Sequence, residues 1–463
     1  MNMPTLAQID LPDFGQPATL PAISAAEYEL RLDLTIDRMQ RNKLDVLVVY
    51  ADREHSANLN FLLGFDPRFE EALLLLDTRG NRLLLVGNEC MGYLPDPARR
   101  CEIALFQEFS LMGQPRDQSK TLPTLLADFG IGRGVKVGCA GWKFFSGPNI
   151  TQSKTAMEIP SFIVDALRGL VAEPEKVVNA NAIFMAVDDG LRVFNSADQI
   201  ARFEYASAYT STSVRRALES LREGIAEKEV ARHFDSGGLT LSCHPMVSFG
   251  EKARRGLSSP SDRAARFGDA FTLAFGVEGA LTARAGIIAT SPEELGGELR
   301  EFYPKFAANY FEVMVAWYEA VKVGALAGEV FAAAEAARNP KLFSFALNPG
   351  HYIHLDEWVH SPFAKNSRVM LQPGMALQSD IIPISAGPFC CSNAEDGIVL
   401  ADEKLRADLA ARHPDCWRRI AARQKFMRET LGIRIHDSVL PLSNTPAWLV
   451  PYALAPNRAL RVG

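Results

Sequence analysis

The chain has 463 residues, 48% of them hydrophobic, and a formal net charge of −6. That length exceeds what one ordinary core fills, so two domains are expected, and without a basic block the composition argues against nucleic acid or an acidic membrane surface as partner. Seven cysteines with no CxxC pair exclude a disulfide framework and fit a reducing compartment. The first residues, MNMPTLAQIDLPDFGQP, lack the basic start and apolar run of a signal peptide, and no apolar run is long enough to cross a bilayer. A cytoplasmic location is expected.

Residues 1–24 read as an extended arm rich in Pro and small residues. Ser24–Asn42 has a helical pattern whose apolar face is Leu30, Leu32, Leu34, Ile36 and Met39. LDVLVVY (44–50) reads as a buried strand, and ALLLLD, TRGN and RLLLVG (72–87) read as a hairpin. VKVGCAG (135–141) reads as another strand, which makes residues 25–192 an α/β domain.

A second unit begins near 193. Ser196 and Gln199 have capping-box spacing before a long helix to about Leu221, which Gly224 ends, and a further helix spans 227–234. Strand patterns recur at 271–279, 351–359, 376–385 and 397–401, around a helical stretch at about 294–323. The order indicates α+β through residue 403. Residues 404–463 read as a helix and a Pro-rich strap lying on the surface or on a neighbouring subunit, with Trp448 and Tyr452 as aromatic anchors of a homodimer interface.

Six pieces of this second unit, taken in order, carry a family resemblance. The opening helices (195–234), the turn repeated in VKVGALAGEV (321–330), Gly268-Asp269, NPGHYIH (348–354), LQPGMALQSD (371–380) and AEDGIVLAD (394–402) resemble the pita-bread fold of creatinase, aminopeptidase P and methionine aminopeptidase. NLNFLLGF (58–65) resembles a segment of creatinase and prolidase N-terminal domains. The resemblance implies a pita-bread domain at 193–403 behind a creatinase-like α/β domain.

The peptidases of that family hold two divalent ions with two Asp, one His and two carboxylates. Carried over, the first Asp falls on Ala274 and the second on or beside Ala285; the others fall on His351, Asp380 and Glu395. Two apolar positions speak against a dinuclear site, so no metal and no other cofactor is expected, although one ion on His351, Asp380 and Glu395 stays open. The resemblance is closest to the metal-free creatinase branch, but the position of that enzyme's base histidine falls near Leu257, with His244 nearby in sequence but offset.

The candidate residues follow. His351 and His360 are the expected acid/base groups, since histidine titrates near neutrality. His354, Asp356, Glu357, Asp380, Glu395 and Arg284 are the expected substrate contacts, with Arg284 or Lys365 as alternative structural partners of the two carboxylates. If 351–359 is a strand, His354, Asp356 and His360 share one face and His351 and Glu357 the other, unless a bulge intervenes. Cys390 and Cys391 read as buried inert thiols, and Cys243-His244 as a weak nucleophile–base hint. The expected function is metal-independent, creatinase-like hydrolysis of a small C–N compound (amide, ureido or amidino). A single-metal Xaa-Pro-type peptidase or C–S lyase, and a non-catalytic binding relative, stand as alternatives. The expected partner is a small molecule, with neither nucleic acid nor membrane.

Overall fold

The computed structural model describes residues 3–385, 387 and 393–463, so Cys390 and Cys391 lie outside the described residues. The chain forms two compact units, residues 23–193 and residues 1–22 with 194–463.

In the unit 23–193, six strands form a mixed sheet in the order Glu102–Leu105, Arg82–Val86, Ala72–Asp77, Val46–Ala51, Val137–Ala140, Val177–Asn179. The continuous apolar runs seen in the sequence are its central strands, and every residue of Val46–Ala51 and Ala72–Asp77 is buried, as a sheet covered on both faces requires. The first helix, Ala25–Arg41, starts at Ser24, whose hydroxyl accepts from the Glu27 N–H. Its buried face is Arg31, Leu32, Thr35 and Met39, whereas Leu30 and Leu34 are exposed. Arg31 takes the interior place expected of a leucine because its guanidinium donates to the Phe61 carbonyl and lies over the Phe61 ring. NLNFLLGF forms the Ala57–Leu63 helix, ended by Gly64 at φ +61°. Asn58 is buried there, donating to the Gly141 carbonyl and accepting from Arg192.

The larger unit is built on a seven-stranded antiparallel sheet. Its path is His351–Tyr352, Ala376–Ser379, Ala394–Leu400, Ala280–Ile287, Ala270–Val277, Met246–Phe249, and Val439–Pro441 pairs with Ala394–Leu400 as well. The 23-residue helix Ala197–Glu219, N-capped by Ser196, packs on this sheet. This is the expected α+β architecture.

Three expected elements differ. The stretch 294–323 is one helix only from Ala308 to Ala320. Short 3-10 turns and a π-turn at Phe302–Ala307 precede it, where Pro304 lacks the N–H that a regular turn needs. The strand expected over 351–359 is two residues long. The chain folds back so that Tyr352 N–H donates to the His360 carbonyl and Val359 N–H to the Tyr352 carbonyl. The strap is not on the surface: residues 438–453 are all buried. Trp448 and Tyr452 are 1% and 0% exposed, so neither is free to anchor a homodimer interface. Among the described residues no helix is long and apolar enough to cross a membrane.

Candidate active site

Four strands deliver the site. His351 opens its short strand and pairs with Gln378; Asp380 follows Ala376–Ser379; Glu395 lies on Ala394–Leu400, opposite Ala283 on Ala280–Ile287. Ala283 in turn faces Ala274 on Ala270–Val277. Gly350, at φ +106°, lets the His351 strand approach: a Cβ there would stand 2.7 Å from the Gln378 carbonyl oxygen.

The His351 Nε2 lies 3.3 Å from Glu357, 3.6 Å from Glu395 and 3.9 Å from Asp380. One ligand atom each from His351, Asp380 and Glu395 falls within 4.8 Å of the others, and all three residues are buried. The His351 ring stacks on Trp358 at 4.1 Å between centroids, and its Nδ1 lies 3.1 Å from the Tyr352 carbonyl. A carbonyl can only accept, so Nδ1 carries a proton, and in the neutral ring Nε2 presents its lone pair to the carboxylates' side. Burial pushes the Asp380 carboxyl well above the usual range, and the Glu395 charge adds to that, with His351 opposing. Burial, then the Glu357 charge, raises Glu395 likewise, against a 3.1 Å hydrogen bond from Gln378. Neither His351 Nε2 nor Asp380 Oδ1 makes a hydrogen bond among the described residues. Two buried carboxylates facing a histidine lone pair call for a cation.

A cavity of about 410 Å³ opens on this group. Glu357, Asp380, Glu395 and Trp358 line it, with Ala274, Ala283, Ala285, Leu281 and Met246 as an apolar wall and Arg254, Arg255 and His244 also around it. The register puts the second apolar substitution at Ala283, directly across from Ala274 and beside Glu395, two residues before the position expected from sequence. With methyls at both positions, the residues present do not fit two ions; His351, Asp380 and Glu395 fit one.

The other expected site residues are placed as follows. Arg284 is buried and also lines the cavity, and its guanidinium forms an ion pair with both oxygens of Asp396, at 2.8 and 2.9 Å. Its remaining donors go to the carbonyls of Ala283, Glu395, Thr445 and Trp448. It therefore holds the strap, and neither it nor Lys365 pairs with Asp380 or Glu395. His354, Asp356 and His360 are not among the residues lining the cavity; His354 packs edge-on against Phe203, and His360 Nδ1 lies 3.3 Å from the Ser361 carbonyl. The fold-back at 353–358 is what brings Glu357 to His351 and leaves those three apart. Cys243 and His244 do not form a nucleophile–base pair. Burial, then Glu357 and Glu395, pushes the Cys243 thiol up to about 12, and the His244 Nε2 is 2.9 Å from the Leu257 carbonyl. The same contact brings His244 to the place where the sequence has Leu257, which spacing alone did not show.

No curated protein matches the chain by sequence. Among solved structures, the prolidase from Thermococcus sibiricus superposes with a TM-score of 0.63 at 16% identity, covering 82% of this chain and 96% of the other. The Xaa-Pro dipeptidase from Bacillus anthracis gives 0.60 at 16%, covering 81% and 96%. A putative aminopeptidase P from Bacillus anthracis gives 0.59 at 12%, covering 85% and 100%. These likenesses establish the pita-bread fold with its N-terminal α/β domain. Residues 201–440, more than half of the chain, match metallopeptidase family M24, and the protein belongs to that family.

Proposed function

We propose that this protein is a hydrolase of a small peptide- or amide-type substrate that works with one divalent ion, held by His351, Asp380 and Glu395. The observation that carries this reading is the buried trio whose ligand atoms lie within 4.8 Å of one another, with His351 Nε2 and Asp380 Oδ1 lacking hydrogen bonds among the described residues. Ala274 and Ala283 weigh against a second ion and leave the first untouched, so the metal-independent reading loses its main support. Bound there, a divalent ion polarises a substrate carbonyl and lowers the pKa of a water.

The chain's own residues supply the rest. The Tyr352 carbonyl fixes the His351 tautomer, and Trp358 fixes the plane of its ring. His244 lines the cavity with Nε2 donating to the Leu257 carbonyl, so in the neutral ring Nδ1 is the nitrogen able to accept a proton. Glu357, 29% exposed and 3.3 Å from His351, is a second group able to hold a proton near the reacting atoms. The likeness to prolidases makes dipeptides and related amides the first substrates to test.

Elemental analysis of protein dialysed against manganese or zinc checks the reading. About one ion per chain is expected, falling to near zero in Asp380→Asn and Glu395→Gln. No bound ion in the unmodified protein, with activity retained after chelation, would overturn it.

A further inference from the structure

The wall facing Asp380 and Glu395 has a composition that the three ligands do not explain. Ala274 and Ala283 are direct cross-strand partners, and with Met246 and Leu281 they form a buried apolar cluster of their own, against which Cys243 packs. All five line the cavity. Glu395 pairs with Ala283 from the next strand, so the carboxylate end and the methyl surface are immediate neighbours. Ile382, Pro383 and Leu347 also line the cavity. Water beside such a surface finds few hydrogen-bond partners and is readily displaced by an alkyl group. The short side chains at 274 and 283 are what keep that volume open, since larger residues would fill it.

We propose that this wall is an aliphatic subsite. It receives a small alkyl side chain of the substrate while the polar reacting group is held at the Asp380–Glu395 end. The inference rests on the proposed function only in taking this cavity as the substrate site; it does not depend on the ion.

Calorimetric titration of chelator-treated protein with methylamine through pentylamine tests it. The ammonium group supplies the cation that the two carboxylates lack, and the alkyl chain lies along the wall. Affinity is expected to rise about fourfold for each added CH2 until the subsite is full. Ala283→Val, which adds two methyl groups to that wall, is expected to move the best-bound probe to a shorter chain, with Ala274→Val as the parallel variant should the first fail to fold. A series flat in chain length, or no binding by any member, overturns the subsite, as does a valine variant with an unchanged optimum. Metal content is measured on protein dialysed against manganese or zinc, so a protein that takes up no ion but gives a rising series overturns the proposed ion alone, and a metal-loaded protein with a flat series overturns the subsite alone.

Discussion

Glu395 shows how little room the site leaves for a negative charge without compensation. Its Oε1 accepts from Gln378, whose amide also donates to the Leu281 carbonyl, so this one neighbour is shared. Among the described residues Asp380 has no comparable donor for Oδ1. The Arg284 guanidinium, which could have neutralised Glu395 from the same sheet, is committed to Asp396 and the strap carbonyls. The cation proposed for the trio would therefore have to come from the cavity. Proton transfer is a separate role, which we propose for His244 or Glu357, both of which line the cavity. Replacing a general base costs about a hundredfold to ten-thousandfold in rate. Once a turnover assay exists, His244→Ala and Glu357→Gln should be compared with the exposed His233→Ala as control. A loss of about a hundredfold or more is expected in at least one of the first two, and wild-type rates in both would remove these residues from the chemistry. His360→Ala, by contrast, is expected to stay within a few-fold of wild type, because His360 does not line the cavity.

At the scale of elements, what was legible in the sequence follows from period and punctuation. The apolar strands 46–51 and 72–77, the turn between 77 and 82, and the capped helix from Ala197 all carry strong local signals. His351, Asp380 and Glu395 were legible because each sits in a recognisable segment. The fold-back after Tyr352 was not: its hydrogen bonds run between residues seven and eight apart, and nothing in HYIHLDEWV marks a turn with Gly or Pro. Trp358, which stacks on His351, was hidden for the same reason. Glu227 is a further case, read from sequence as the start of the helix at 227–234. It is a buried carboxylate that takes hydrogen bonds from Lys252, Ser261 and the Phe249 N–H. Burial works against its charge, but these donors outweigh it and hold its pKa below the usual carboxylate value. The folded state therefore binds this proton less readily than the unfolded chain. The resulting stability is present above the unfolded pKa and is lost as pH falls through the depressed one. Glu227→Gln is expected to lower stability by about 2 kcal/mol at neutral pH, with the gap to wild type closing as the medium becomes acidic. Urea unfolding at a series of pH values checks it, and a gap independent of pH would show that the charge is not what matters.

Across the larger unit, the two ends of the chain meet. Thr5–Gln8 pairs antiparallel with Arg458–Arg461 in a two-stranded sheet, and the strap leading to it runs through the interior, where Val439–Pro441 joins the main sheet. The strap was misplaced by its composition: Pro and Asn signal irregular backbone, but they do not say whether that backbone is exposed. Here the buried groups on both sides decide. Arg284 and Asp396 donate to and accept from strap atoms at Thr445, Ala447 and Trp448, which satisfies polar groups that a surface strap would leave to water. The chain ends are thus part of the support for the Glu395 strand, two layers removed from the chemistry. Leu460 is fully buried, pairs with Leu6, and its N–H donates to the Leu449 carbonyl. Leu460→Ala leaves a cavity and is expected to cost about 2–5 kcal/mol. A chain ending at Pro456 loses the pairing altogether, which should release residues 1–22 to proteolysis. Mass spectrometry after brief chymotrypsin treatment reads this directly: early cleavage within the first 22 residues of the truncated chain, at Leu6 or Phe14, absent from the full one, is the expected result. Equal resistance of the two would mean that the arm is held by contacts other than this strand.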